Sequence, residues 1–520
     1  MNTGHLDQLL LGIADAQLAA MPEVARMTVS GLSLDSRSVQ RGDAFFALHG
    51  TRAHGISFAP AAVQRGARIV LAEAPAAGES LPSLAGEIDE GGRDALPQAV
   101  GEVPVLWIDD LHAQVGEIAA RFHQRPSELL RLIGVTGTNG KTSCVQLLAQ
   151  ALTLLGHRAA SIGTLGAGVH GQLHEGERTT PDAISVQAQL AAFRDDRVSH
   201  VAMEVSSHAL VQGRVAAVDF EVAAFTNLTR DHLDYHGSME AYGAAKAMLF
   251  AWPGLRSAVI NIDDAFGREL SSQLSDDLQL LRFSAAGDDE AEVAASDIVT
   301  SAEGLAFHLR TPWGSRAIRS QLIGRFNVAN LLAVVASLGA LGEPFARIVE
   351  VVAQLQPVNG RMNRIGGVHG QPLVVVDYAH TPDALEQALN AVRAHCAGKL
   401  ICVFGCGGER DAGKRPLMGE IAARLADVAI VTDDNPRGED GDAIVAQIVA
   451  GMTAAPAMAV ERDRAVAIAD ALALARPGDA VLIAGKGHET YQDGATGKHP
   501  FDDLLVARAA LEQWQREQRA

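Results

Sequence analysis

Four cysteines in 520 residues, at Cys144, Cys396, Cys402 and Cys406, are too few for a disulfide framework, and no two form a Cys-x-x-Cys pair. A reducing compartment is therefore expected. Basic residues are outnumbered, 43 against 62 acidic, which leaves a formal net charge of −19. The chain thus lacks the positive field that nucleic acid or an anionic membrane surface demands, so anionic substrates must be met by local basic clusters. Long apolar runs are missing as well: none reaches the roughly 18 residues of a membrane span. Leu9 to Ile13 is a short apolar run between Asp7 and Asp15, with no basic segment before it, and makes a poor secretory signal. A cytoplasmic protein is expected, with no nucleic-acid partner and no membrane span.

What the chain does have is length. With 48% hydrophobic and 20% charged residues it reads as globular, and its size suggests three domains of about 150 residues each. The stretch Ile133-Gly-Val-Thr-Gly-Thr-Asn-Gly-Lys-Thr142 organises the rest. An apolar strand, Leu132 to Val135, turns through Gly137 and Gly140 into a helical stretch from Thr142 to Leu155, the form of a nucleotide-phosphate cradle. Lys141 would then meet the β/γ-phosphates and the Thr142 hydroxyl a Mg²⁺ ion. The glycine that a strict P-loop carries five residues before the Gly-Lys pair is here Val135, and Gly137 takes its place.

Further along, strands and helices alternate from Ala113 onward, the pattern of a largely parallel sheet covered by helices. Residues 27 to 71 read as a small α/β unit with a strand at Ala44 to Leu48, and the Ala-, Gly-, Glu- and Pro-rich stretch Ala72 to Pro104 as mostly a surface insertion. Val198 to Met203 is an apolar strand ending in Glu204, where a carboxylate beside a P-loop commonly serves Mg²⁺. Val222 to Phe225 leads into a loop crowded with Asp231, His232, Asp234 and His236, either a metal site or simply solvated charge. On spacing alone, Lys246 in the helical stretch Tyr242 to Phe250 is an ordinary surface charge. Asn327 and Asn330 share one helix face, as a cap or as partners of an adenine edge. After Pro357, strands at Leu373 to Val376, Leu400 to Phe404, Val428 to Val431 and Val481 to Ile483 each run into a polar, glycine-containing loop. If those strands are neighbours, Arg410, Lys414, Arg437 and Glu489 share a crevice offering both signs of charge.

The motifs Thr136 to Thr142, Thr179-Thr-Pro-Asp182, Glu204-Val-Ser-Ser-His208, Asn227 to Gly237, Ala245-Lys246, Asn327-Val-Ala-Asn330, Gly360-Arg-Met362, Asp377 to Pro382, Gly405 to Pro416 and Asp434-Asn-Pro-Arg437 together resemble the Mur ligases of bacterial cell-wall synthesis. Within them they are similar to the branch that adds the third residue of the peptide. The resemblance implies an α/β protein of three domains: an N-terminal UDP-binding domain (1–111), a central P-loop ATPase with a mostly parallel sheet (112–356) and a C-terminal Rossmann-like domain (357–520). It implies ATP-dependent addition of meso-diaminopimelate to the D-glutamate of UDP-N-acetylmuramoyl-L-alanyl-D-glutamate through an acyl phosphate, by a monomer acting on small molecules.

Residue by residue, the same resemblance assigns ATP to Gly137, Thr138, Asn139, Gly140, Lys141 and Thr142, with Asn327, Asn330, Arg361 and Asp377. Two Mg²⁺ ions would be held by Thr142 and Glu204, and by His232 with Lys246 converted by CO₂ to a carbamate. Lys141, Glu204, His232 and Lys246 are then the catalytic set. The muramoyl-dipeptide falls to Leu34, Ser36, Thr51, Thr179, Thr180, Ser206, Gln212 and Arg214. Diaminopimelate falls to Arg410, Asp434, Asn435, Pro436, Arg437, Gly485 and Glu489, where an arginine fork would hold the carboxylate that L-lysine lacks. Asn363 stands where the family often has Glu. Three rivals are a folylpolyglutamate synthetase, disfavoured by the extra N-terminal residues, a P-loop switch or motor, and a non-catalytic nucleotide-binding scaffold.

Overall fold

A computed structural model describes residues 3–50, 53–75, 98–453 and 457–519. They divide into two compact units, one comprising Met1–Val145, Gly156–Ala258 and Ser272–Leu280, the other Gln146–Leu155, Val259–Ser271 and Leu281–Ala520.

In the first unit, Gly31–Ser33, Asp43–Ala47, Ile69–Glu73 and Val103–Ile108 form a parallel sheet in that order, with Ala99–Val100 added antiparallel at one edge. Alternation decides its two faces. Ala44 and Phe46 pack in one core with Leu111, Val115 and Ile118 of the helix Leu111–Phe122, while Phe45 and Ala47 join a second core with Ile56 and Trp107. The expected insertion is therefore shorter than its composition suggested. Ala72 is a fully buried strand residue, because the apolar run Ile69 to Ala72 continues the sheet, and Ala99 and Val100 pair with Pro104 and Val103 across a tight turn. Its residues 76–97 lie outside the described residues, as does Thr51.

The P-loop strand, Arg131–Thr136, lies between His200–Glu204 and Val222–Phe225, and Ala159–Gly163 flanks His200–Glu204; all four are parallel. Nearly every residue of these strands is buried, as befits a sheet with both faces covered. A hairpin, Gly166–Val169 with Gln172–His174, extends this part antiparallel to Ala159–Gly163.

The second unit corrects the alternation expected of the central segment. Val293–Ser301, Gly304–Thr311 and Gly314–Ser320 form an antiparallel meander before the helix Phe326–Ala340. Its period-2 pattern shows at Phe307 and Leu309, which are buried beside the exposed His308 and Arg310. Beyond it, the strands Asn363–Gly366, Leu373–Asp377, Ala480–Ala484, Leu400–Phe404, Val428–Val431 and Ala457–Val460 form one sheet in that order. The last five are parallel, so their carboxyl ends share one edge and the loops singled out in the sequence are neighbours. Asn363 opens the antiparallel first strand opposite Val376. Among the described residues no helix is long and apolar enough to cross a membrane.

Candidate active site

The displaced glycine of the P-loop has a geometric reason. Val135 is still strand, in register with Glu204, and the turn begins only at Gly137, whose φ is 146°. A Cβ there would collide with the Thr226 hydroxyl, so the close approach of the next strand's loop demands glycine. Gly140, at φ 86°, makes the second left-handed step into the helix Lys141–Leu154. Asn227 braces the loop: its carbonyl accepts from Thr138 N–H at 2.8 Å and its side-chain oxygen from Asn139 N–H at 2.9 Å. Lys141 folds back over this turn, its Nζ donating to the carbonyls of Gly137 (2.8 Å) and Thr138 (2.9 Å).

Glu204 ends its strand fully buried. It accepts from Thr164 N–H (2.8 Å) and from the hydroxyls of Thr142 (3.0 Å) and Thr164 (3.2 Å). Burial raises its carboxyl above the usual range, while Lys141 and these hydrogen bonds pull the other way. Gly163 leaves room for it, since a Cβ there would strike the Glu204 carboxylate. A hydroxyl and a buried carboxylate side by side are the hard oxygen donors that Mg²⁺ takes.

Lys246 is the clearest correction of the spacing argument. It sits on the helix Met239–Ala247 at 1% exposure, its Nζ 4.2 Å from the centre of the Tyr242 ring. Desolvation, then repulsion from Lys141, lowers its pKa to about 6, against a weaker pull from Asp231. Burial thus favours the free amine at neutral pH. His232 packs edge-on against the same ring, with centroids 6.1 Å apart, at a left-handed φ of 51°. The Tyr242 hydroxyl reaches the Thr138 hydroxyl at 3.3 Å, tying this cluster to the P-loop.

Beside Glu204, Thr180 donates to its backbone carbonyl at 2.8 Å and accepts from Ser206 N–H at 3.2 Å. Arg214 donates to the Thr180 carbonyl (2.9 Å) and through Nε to Gln212 (2.9 Å), and Thr179 contacts Thr164 at 3.0 Å. Burial, then the neighbouring Arg178, lowers the pKa of Arg214. Leu34 and Ser36 line a cleft of about 920 Å³ whose far wall includes Arg178, Pro181 and Asp182.

In the second unit, Asp377 accepts from Met362 N–H (2.8 Å) and Ala379 N–H (2.9 Å), and burial raises its carboxyl. The Arg361 guanidinium lies 5.7 Å from the Tyr378 ring, with its buried Nε unpaired. Asn327 and Asn330 do share a face, yet Asn330 donates to Asn327 (2.8 Å) and Asn327 to the Ile323 carbonyl (2.7 Å). At the strand ends, Asn435 donates to Glu489 at 2.8 Å, Pro436 follows, and Arg437, at φ 52°, donates to the Gly408 carbonyl at 2.7 Å. Gly407 has Arg437 and Arg410 on one side, and Gly485 lies against Asp434. Asp434 is buried, its carboxyl raised by desolvation and its Oδ1 without a hydrogen bond.

Three family models match the chain: the Mur ligase family catalytic domain at residues 28–123, the Mur ligase middle domain at 135–338 and the Mur ligase glutamate ligase domain at 360–487. The chain is 55% identical over 494 residues to the UDP-N-acetylmuramoyl-L-alanyl-D-glutamate–2,6-diaminopimelate ligase of Xanthomonas campestris pv. campestris (strain 8004), covering 94% of this chain and 96% of that one. The chain belongs to the Mur ligase family. The ligase of the same name from Pseudomonas aeruginosa is 50% identical over 495 residues, 95% of this chain and 97% of that one. A solved structure of such a ligase superposes with a TM-score of 0.73 at 36% identity, covering 99% of this chain and 100% of that one.

For a Mur ligase, several working residues had weak sequence signals. Thr226 and Asn227 brace the phosphate loop, a role that neither the apolar strand running into Thr-Asn nor the motif beginning at Asn227 announced. Thr164 holds the Glu204 carboxylate from a loop without a motif. Lys486, between two glycines in a loop that the sequence did single out, is fully buried amid the Asn435 and Glu489 side chains. Cys406, in the glycine loop, is a packing residue: its Sγ is 3.6 Å from Met418 Sδ, and burial pushes its thiol up to about 12.

Proposed function

We propose that this Mur ligase joins diaminopimelate to the D-glutamyl carboxylate of UDP-N-acetylmuramoyl-L-alanyl-D-glutamate, converting ATP to ADP and phosphate. The observation that carries the choice of amino acid is that the buried carboxyl of Asp434 and the half-buried one of Glu489 stand at the same sheet edge as the arginines Arg410 and Arg437. A zwitterionic side-chain end needs both signs. An arginine fork on a carboxylate adds directional, charge-assisted bonds that the ammonium of L-lysine would not use.

In the first step the D-glutamyl carboxylate oxygen bonds to the γ-phosphorus and the bond to ADP breaks, giving an acyl phosphate. A carboxylate cannot otherwise expel oxide at neutral pH. Lys141 opposes the repulsion between the two anions, and Arg214 with Arg178 adds positive charge beside the peptide positions. The deprotonated amine of the amino acid then attacks the acyl carbon, loses its remaining surplus proton and displaces phosphate. Thr142 and Glu204 would hold one Mg²⁺ ion, and His232 with carbamylated Lys246 a second, and such ions would supply further positive charge to the phosphates. The carbamate forms as the neutral Lys246 amine adds to the carbon of CO₂ and releases one N–H proton. The free, mostly buried cysteines accord with a cytoplasmic enzyme, which we take to act as a monomer.

Phosphate release is to be followed with ATP, Mg²⁺ and the UDP-muramoyl-dipeptide, with meso-diaminopimelate, L-lysine or no amino acid. Release with diaminopimelate alone is expected. Release with lysine instead would keep a ligase but discard the arginine argument, and release without any amino acid would reopen the switch reading. Arg437→Ala is expected to raise KM for diaminopimelate about tenfold or more while KM for ATP stays within about twofold. Equal changes in both would sink the carboxylate fork.

A further inference from the structure

Resting on that reading of the amino-acid site, we infer that Lys486 is its positioning residue: it aims the Asn435 amide and sets the charge of the Asp434–Glu489 pair so that the site takes one substrate ammonium. Lys486 is 0% exposed, an unusual place for an ammonium. Its Nζ donates to Asn435 Oδ1 at 2.9 Å and to Glu489 Oε2 at 3.0 Å, and lies 3.8 Å from Asp434 Oδ1.

The chemistry of the donors decides which way Asn435 points. An ammonium and a backbone N–H can only donate, and both Lys486 Nζ and Asp493 N–H (2.9 Å) converge on one Asn435 atom, which must be the oxygen. The Asn435 Nδ2 is thereby directed at Glu489 Oε2, 2.8 Å away. That oxygen receives both Lys486 and Asn435, which leaves Oε1 for a ligand. The backbone carbonyl of Asp493 in turn accepts from Arg437 N–H at 2.8 Å, so the same knot holds the base of the arginine fork.

Charge is the second half of the argument. Asp434 and Glu489 with Lys486 sum to one net negative charge; without the lysine they would sum to two. Arg464 does not make up the difference, because its guanidinium is paired twice, at 2.7 Å each, with Asp503. One negative charge matches one ammonium. Around Asp434 the charged groups are Arg464, Lys486, Glu489 and Asp503; the two cations draw its raised carboxyl down and the two acids push it further up.

Steady-state kinetics of Lys486→Met and of the Asp434→Asn/Lys486→Met double variant test this in the full chain. The single variant is expected to raise KM for diaminopimelate at least about tenfold, with KM for ATP and for the UDP-dipeptide within about twofold. The acid limb of kcat/KM for diaminopimelate should move to higher pH, because Asp434 loses a cation that holds its carboxyl down. In the double variant the pair again carries one negative charge and no unpaired buried cation or surplus anion, so it should fold even where the single variant does not and recover part of the diaminopimelate affinity. Equal rises in all three KM values, an unmoved acid limb, or a double variant no better in KM than the single one would overturn the assignment. A wild-type protein that releases no phosphate with diaminopimelate would overturn the ligase reading, and this inference with it.

Discussion

Lys141→Ala is expected to reduce kcat for phosphate release by at least about 10³-fold, the scale on which removing a charge aimed at a transition state acts in a water-poor site. Its ammonium hangs over the Gly137 and Thr138 carbonyls, where a phosphate chain would draw it away from the loop. Two side effects distinguish a lost phosphate contact from a collapsed loop. The loop's braces, Thr226 and Asn227, do not involve Lys141, so circular dichroism and melting temperature should change little. Glu204 loses the positive neighbour that pulls its carboxyl down, so any residual activity should show an acid limb at higher pH. Near-normal turnover in this variant would reject the phosphate role.

Lys246→Met is expected to lose turnover by at least about 10²-fold and yet to melt higher than the wild type in CO₂-free buffer. The two effects have one cause. Lys246 is buried against Tyr242 with a pKa lowered to about 6, whereas the unfolded chain holds its lysines near the ordinary value of 10.5. Between those values the unfolded state binds one proton more than the folded state, so wild-type stability rises with pH across this window. At pH 7 about three-quarters of the penalty is still in force, and methionine, apolar and of similar length, escapes it. The stability gap should therefore narrow as pH rises toward 10.5 and stay constant below 6. A gap that is absent at pH 7, or that widens toward high pH, would show that the lysine is not held neutral.

The carbamate has its own signature. Protein equilibrated with ¹³CO₂ should give a carbamate ¹³C resonance that Lys246→Met lacks, and carbamate formation should fall away below about pH 6 as the amine protonates. The resonance persisting in the variant would place the carbamate elsewhere. Stability and function thus pull in opposite directions at this position, as is common where a site stores an unfavourable burial for use in chemistry.

Much of this chain was legible before any coordinate. Glycines leading into Lys141 after an apolar strand are local chemistry, and so are short apolar runs that end in Glu204 or Asp377; strand identity and strand-end placement follow from a few neighbouring residues. The antiparallel meander Val293 to Ser320 was not legible in the same way, because alternating apolar and polar residues state that one face is solvated without saying that three such strands pair with each other. Lys246 is the sharpest case. A helix of alanines says nothing about which face is covered, and only the packing of Tyr242 around Nζ turned a surface charge into a neutral amine. Lys486 and Asn227 belong to the same class, since each acquires its role from a partner that arrives from a sequence position dozens of residues away. Motif, strand and turn were written in the sequence because they depend on neighbours along the chain. Protonation, amide orientation and the charge balance of the amino-acid site were decided only in the folded structure, because they depend on neighbours across it.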